Sequence, residues 1–93
     1  MKPKYILNYT KVAEKFFQKH EKVRTSFKEG IRKLIENDHP EQVDYKGLKG
    51  KWKGYYRIRI DDYRVVFTYI NGKVIVISVI LAGPRGDVYK KLK

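Results

Sequence analysis

Apolar positions along the chain change their spacing, and each change marks a new element. Tyr5-Ile6-Leu7-Asn8-Tyr9 is short and rich in aromatic and branched residues, which reads as a first strand. Thr10 can then serve as an N-cap. Val12, Ala13, Phe16 and Phe17 form one stripe between Lys11 and His20, a short helix. Val23, Phe27, Ile31, Leu34 and Ile35 follow the i, i+4, i+8, i+11, i+12 spacing of a longer one. It should stop near Asn37-Asp38-His39-Pro40, because proline cannot continue a helix and disfavours helical geometry before it. The two helices form an antiparallel hairpin. Residues 41–54, with Gly47, Gly50, Gly54 and four lysines, read as a flexible loop. The period then becomes two, which predicts strands over Tyr55–Ile60, Tyr63–Ile70 and Lys73–Leu81. Asp61-Asp62 serves as the first hairpin loop and Asn71-Gly72 as the second.

The elements predict an α+β fold of order β-α-α-β-β-β. An N-terminal strand and a helical hairpin precede a three-stranded antiparallel meander, and all neighbouring strands are expected antiparallel. Length bounds it to one domain, residues 1–93, with one core. The hairpin has one apolar side to bury on the sheet, and Ile58, Ile60, Tyr63, Val65, Phe67 and Tyr69 are its natural partners. With a two-residue Asn71-Gly72 turn, Val74, Val76 and Ile80 of the last strand join them. Ile75, Ile77, Val79 and Leu81 then fall on the opposite side. A strand apolar on both faces is central or covered. Val88 and Leu92 of the tail, or a partner protein, are candidates for the cover.

Charge adds a function class. The chain has 22 Lys+Arg against 10 Asp+Glu, a formal net charge of +12. Such an excess repels itself and favours a polyanion or an acidic protein partner. Cysteine is absent, which removes disulfides, Fe–S clusters and thiol chemistry. No apolar run approaches the ~20 residues of a membrane span, and no signal-peptide core is present, so a soluble cytoplasmic protein is the default expectation.

The same alternation that buries Ile58 and Ile60 aims Arg57 and Arg59 at the other face. Across the Asp61-Asp62 loop, Arg59 falls opposite Arg64. Like charges placed directly across strands destabilise a sheet, so this cluster points to an anion, and a phosphate fits best. Arginine presents a planar fork of donors matching phosphate oxygens. Lys49, Lys51 and Lys53 on the adjacent loop suit backbone gripping, while Arg85 and Tyr89 in the tail complete the candidate set. Several guanidiniums on one phosphodiester would stabilise a pentacoordinate transition state. A tyrosine hydroxyl surrounded by cations could accept the proton of a ribose 2′-OH, cleaving RNA through a 2′,3′-cyclic phosphate without metal or cofactor. A solvated basic face that only binds nucleic acid remains the plainer alternative.

Other signals are weaker. His20 and His39 fall at the ends of the helical hairpin, away from the arginine strand, and read as surface histidines. No spaced His/Asp/Glu set suggests a metal site. Asp61-Asp62 reads as a turn rather than a Mg²⁺ site. Residues 47–54 lack the Walker spacing. Trp52, Tyr55 and Tyr56 suit either base stacking or the core.

In combination, Leu48-Lys49-Gly50, Tyr56-Arg57-Ile58-Arg59, Asp62-Tyr63-Arg64-Val65-Val66-Phe67 and Gly83-Pro84-Arg85-Gly86-Asp87-Val88-Tyr89 resemble the RelE branch of the RelE/ParE toxin superfamily. The resemblance covers essentially the whole chain. It implies a ribosome-dependent mRNA endonuclease of a type II toxin–antitoxin system, acting in the ribosomal A site. It further implies neutralisation by an acidic, RelB-like antitoxin, with operator DNA bound only through the toxin–antitoxin complex. Arg57 and Arg59 would be the paired basic positions, Arg64 the arginine of the second hairpin strand, Arg85 the arginine after the last strand and Tyr89 the C-terminal tyrosine. Pro84 stands where many relatives carry histidine, and some relatives have lysine at 57 and 59. This leaves Tyr89 as proton acceptor, Arg85 at the leaving 5′-oxygen, and Lys51 or Lys53 assisting. A ParE-like toxin that poisons DNA gyrase through protein contacts shares the expected fold.

Overall fold

The computed structural model of the protein describes residues 4–84, 86 and 88. Strand β1 (Tyr5–Tyr9) leads into α1 (Lys11–Lys19) and α2 (Glu21–Glu36). After a 3-10 turn at Pro40–Gln42 come β2 (Tyr45–Gly47), a second 3-10 turn at Gly50–Trp52, β3 (Tyr56–Ile60), β4 (Tyr63–Asn71) and β5 (Ile75–Pro84). The strands form one five-stranded sheet in the order β1-β5-β4-β3-β2. No helix among the described residues is long and apolar enough to cross a membrane.

Local chemistry sets the helix ends. The Thr10 hydroxyl accepts from the Ala13 amide at 3.2 Å and donates to the Ile80 carbonyl at 2.7 Å, so one side chain caps α1 and ties it to β5. His20 ends α1 and begins α2. Helix α2 stops at Asn37, which is left-handed at φ 53°, three residues before Pro40. Both helices lie on one sheet face. Phe17, Phe27, Ile31, Ile58, Val65 and Val79 are all at most 2% exposed there, and Phe27 stacks on Phe17 and meets Phe67 edge-on.

Three expectations are corrected. First, β1 pairs with β5 in parallel, Tyr5 opposite Ile75 through Tyr9 opposite Val79. Two helices and three strand reversals separate β1 from β5, so both run the same way, and a long crossover is what parallel pairing needs. Second, residues 41–54 are not a flexible loop. They contain β2, paired antiparallel with β3, and the following turn is held by the Leu48 amide on the Tyr55 carbonyl at 2.8 Å and the Thr68 hydroxyl on the Gly54 carbonyl at 2.9 Å.

Third, the β4–β5 turn is not a two-residue Asn71-Gly72 loop. Asn71 pairs with Ile75 and Tyr69 with Ile77, leaving Gly72, Lys73 and Val74 as the loop. A one-residue slip exchanges the faces of a strand, so Ile75, Ile77 and Val79 face the helices. A bulge then intervenes: Val66 pairs with Leu81 while Phe67 pairs with Val79, and Ile80 is the extra residue. Past it, Leu81 faces away from the helices while Ala82 belongs to the helix-side core. The apolarity of β5 on both faces follows from its position between β1 and β4 and from a second cluster. There Val66, Leu81 and Val88 are buried with Leu48, Trp52, Tyr55 and Ile80 packed around them. Val88 covers this face as expected; Leu92 lies outside the described residues.

Phe27→Ala should cost about 3–5 kcal/mol, the usual loss for a fully buried aromatic truncated to alanine, read as a lowered urea midpoint at unchanged m. A loss below about 1 kcal/mol would contradict the aromatic packing between α1, α2 and β4.

Candidate nucleic-acid interface

The face opposite the helices is built from two cross-strand rows. The β2–β3–β4–β5 registers place Lys46, Arg57, Val66 and Leu81 in one row and Arg59, Arg64 and Gly83 in the next. Arg59 is opposite Arg64, as the alternation predicts. The register of β2 also brings Asp44 beside Arg59, whose amide donates to the Asp44 carbonyl at 2.8 Å.

The three guanidiniums differ in surroundings. The Arg57 guanidinium donates to Asp44 Oδ1 at 3.4 Å, and Arg59 lies 4.0 Å from Asp44 Oδ2 with half its side chain exposed. Arg64 is 6% exposed. One of its terminal nitrogens donates to the Tyr63 carbonyl at 3.2 Å, and its Nε is buried without a hydrogen-bond partner. A nearly buried guanidinium with an unused Nε donor is costly to desolvate, and an anion at this face would offset that cost.

Four other carboxylates are held in the helical layer. Glu14 pairs with Arg24, and Arg32 holds Glu29, Glu36 and Asp38. The hydrogen bonds Arg32 donates to Glu29 and Asp38 push its pKa further up, and the bond to Glu29 pulls that carboxyl down. Among the described residues, Asp44 alone forms ion pairs with the arginine face. It escaped the sequence reading, although it is the one acidic residue between Glu41 and Asp61. Lys46, exposed and beside Arg57, was also missed.

Lys49, Lys51 and Lys53 are exposed on the turn between β2 and β3. That turn is anchored on the arginine face by Leu48, Trp52 and Tyr55 in the cluster around Val66, with Trp52 and Tyr55 rings edge-to-face at 5.2 Å. Tyr56 instead faces the helices and stacks on Phe67. Arg85 and Tyr89 lie outside the described residues. Of their neighbours, Gly86 is exposed and Val88 is buried in the same cluster. A Cβ at Gly83, opposite Arg64, would sit 3.6 Å from the Val88 side chain, an ordinary van der Waals contact, so Val88 packs against this position. His20 corrects another expectation. Its ring stacks on Phe16 and lies 5.0 Å from Tyr63, next to Arg64 in sequence but on the helix side of the sheet.

A sheet with a helical hairpin on one face and clustered arginines on the other is the architecture the sequence resemblance implied. The family model described as the ParE toxin of type II toxin–antitoxin systems matches residues 4–84. The chain belongs to this family, and so to the RelE/ParE toxin superfamily. The toxin's fold is similar to that of YafQ from E. coli strain BL21(DE3), at TM-score 0.65 and 18% identity over 92% of this chain and 99% of that chain. It is also similar to a chain of the RelB–RelE antitoxin–toxin complex from Methanococcus jannaschii, at TM-score 0.62 and 25% identity over 92% and 99%. A chain of the E. coli DinJ–YafQ toxin–antitoxin complex matches at TM-score 0.65 and 20% identity over 92% and 98%. A search of curated proteins returns no significant match.

Asp44→Asn should release Arg57 and Arg59 for phosphate. Binding of a single-stranded RNA oligonucleotide should tighten several-fold, and each additional phosphate neutralised should steepen the log–log salt dependence by roughly 0.7. Unchanged affinity and slope in a salt titration would show that Asp44 does not compete for this face.

Proposed function

We propose that this toxin is a metal-independent endoribonuclease that cleaves mRNA in the ribosomal A site and thereby arrests translation. The observation that carries the reading is Arg64: a nearly buried guanidinium with an unpartnered Nε, placed directly across from Arg59 on a face with one ion-pairing carboxylate among the described residues. Folding alone does not account for such a pair, whereas a scissile phosphate flanked by Arg57, Arg59 and Arg64 does. In this reading the ribose 2′-oxygen attacks phosphorus as its proton passes to Tyr89. The bond to the 5′-oxygen breaks, with Arg85 stabilising or protonating the leaving group. The products are a 2′,3′-cyclic phosphate and a 5′-hydroxyl. Lys49, Lys51 and Lys53 hold the flanking backbone.

Few acid–base groups stand on this face, so alignment of the substrate must supply much of the rate. Such alignment can be worth ~7–11 kcal/mol of barrier, and the ribosome is the proposed source. The partner is an acidic antitoxin: a net charge of +12 favours one, and the RelE and YafQ structures similar to this chain include complexes with antitoxins. Operator DNA is then reached through that complex.

The match to the ParE family model favours one second reading, a toxin that poisons DNA gyrase through protein contacts. Mapping RNA 3′ ends after a short pulse of expression separates the two. Discrete cuts with in-frame periodicity are the expected result; DNA breaks with intact transcripts would overturn the nuclease reading. Arg64→Lys keeps the charge and most of the volume but loses the fork. It should slow cleavage on the order of 100-fold, about 3 kcal/mol for one preorganised donor, with an unchanged melting temperature. Full activity in Arg64→Lys and in Arg85→Ala would reject the proposed site.

A further inference from the structure

A polar groove of about 470 Å³ lies between α2 and the end of β3 and adjoins the arginine rows. Arg59 and Asp44, both part of the arginine face, line it together with Glu29 and Lys33 of α2, Gln42 of the first 3-10 turn and Asp61 after β3. The short β2 is the reason it opens here. Its ladder with β3 ends at Tyr45 opposite Ile58, and the Arg59 amide makes one further bond to the Asp44 carbonyl. On the other side of Asp44 the chain belongs to the turn at Pro40–Gln42, so no described strand pairs with Ile60 on that side of β3.

One polar group in the groove has a fixed orientation. The Lys33 ammonium donates to Gln42 Oε1 at 2.8 Å. An ammonium can only donate, so the Gln42 amide turns its oxygen to Lys33 and its NH₂ away. That Nε2 bonds to no other described residue and is left as a donor in the groove.

Charge then selects what enters. Glu29, Asp44 and Asp61 set three carboxylates against the two cations Lys33 and Arg59. A phosphate is disfavoured in the groove, while the Arg59–Arg64 row beside it attracts one. A nucleotide whose phosphate rests on Arg59 can therefore offer the groove its uncharged base. Single-stranded RNA is read in this way, by hydrogen bonds to the edges of splayed-out bases. Guanine and uracil carry a keto acceptor where adenine and cytosine carry an amino donor. A Gln42 donor facing an amino group would leave both unpaired, which costs more than a bond not made.

We propose that the groove between α2 and β3 receives a base beside the scissile phosphate, and that Gln42 selects a keto base, guanine or uracil, over an amino base. This rests on the nuclease reading above and adds what decides which sequences are cut.

The experiment is single-turnover cleavage by the full chain on ribosomes programmed with messages that carry each of the four bases at either nucleotide flanking the cut. At one of these nucleotides guanine and uracil should be cut about 10-fold faster than adenine and cytosine, the discrimination of one hydrogen bond. Gln42→Leu should flatten that ratio to about 1. Gln42→Glu keeps an acceptor for Lys33 but has no N–H to offer, so the preference should reverse toward adenine and cytosine by a similar factor. Gln42 is exposed on a turn, and both variants should melt at the wild-type temperature, which separates lost reading from lost folding. Cleavage by the wild-type chain with no preference between keto and amino bases, or a preference that survives Gln42→Glu, overturns the base-reading groove and leaves the nuclease standing. No cleavage of any programmed message overturns both.

Discussion

Strand β5 is the constraint on which the rest of the molecule depends. It has ten residues, hydrogen-bonds to β1 on one side and β4 on the other, and is apolar on both faces. An apolar strand of this kind is stabilised by a neighbour on each side and by cover on its faces. It therefore requires β1 as a neighbour, the helical hairpin as one cover, and the cluster of Val66, Leu81, Val88, Leu48 and Trp52 as the other. The bulge at Ile80 lets one strand serve both layers, because the extra residue re-aims the side chains beyond it. Thr10 ties α1 to the same point through the Ile80 carbonyl.

That second cluster links packing to chemistry. It anchors the lysine-bearing turn and the start of the tail beside the arginine rows, on a face that would otherwise be an open sheet. The same rows place Arg59 against Arg64, which costs stability in the free protein. Asp44 offsets part of that cost for Arg57 and Arg59, but its carboxylate and Arg59 are half-exposed, where an ion pair is worth little. Arg64 gets no such relief among the described residues. The face is therefore left poised for an anion, while Glu14, Glu29, Glu36 and Asp38 are committed to Arg24 and Arg32 in the helical layer.

Positive charge also governs how the chain meets proteins. Two copies of a chain with a net charge of +12 repel each other. That charge favours a partner of opposite sign, and electrostatic complementarity mainly sets the choice of partner and the rate of encounter.

Local pattern determined a good deal. The alternation in β3 and β4 set the Arg57, Arg59 and Arg64 face and the Arg59–Arg64 pairing, since side-chain direction in a strand has period two whatever surrounds it. Thr10, the Val23–Ile35 stripe and Pro40 likewise marked both helices, because capping and helical period are short-range. Long-range pairing was not legible. Asn71-Gly72 suggested a two-residue turn, but burying Ile77 and Val79 under the helices outweighed that local preference and slipped β5 by one residue. Asp44 looked like loop until β2 paired with β3 and carried it to the arginines. Sequence alone thus determined which side chains share a face; tertiary structure decided which faces meet, because burial and strand pairing between distant segments carry more free energy than any single turn.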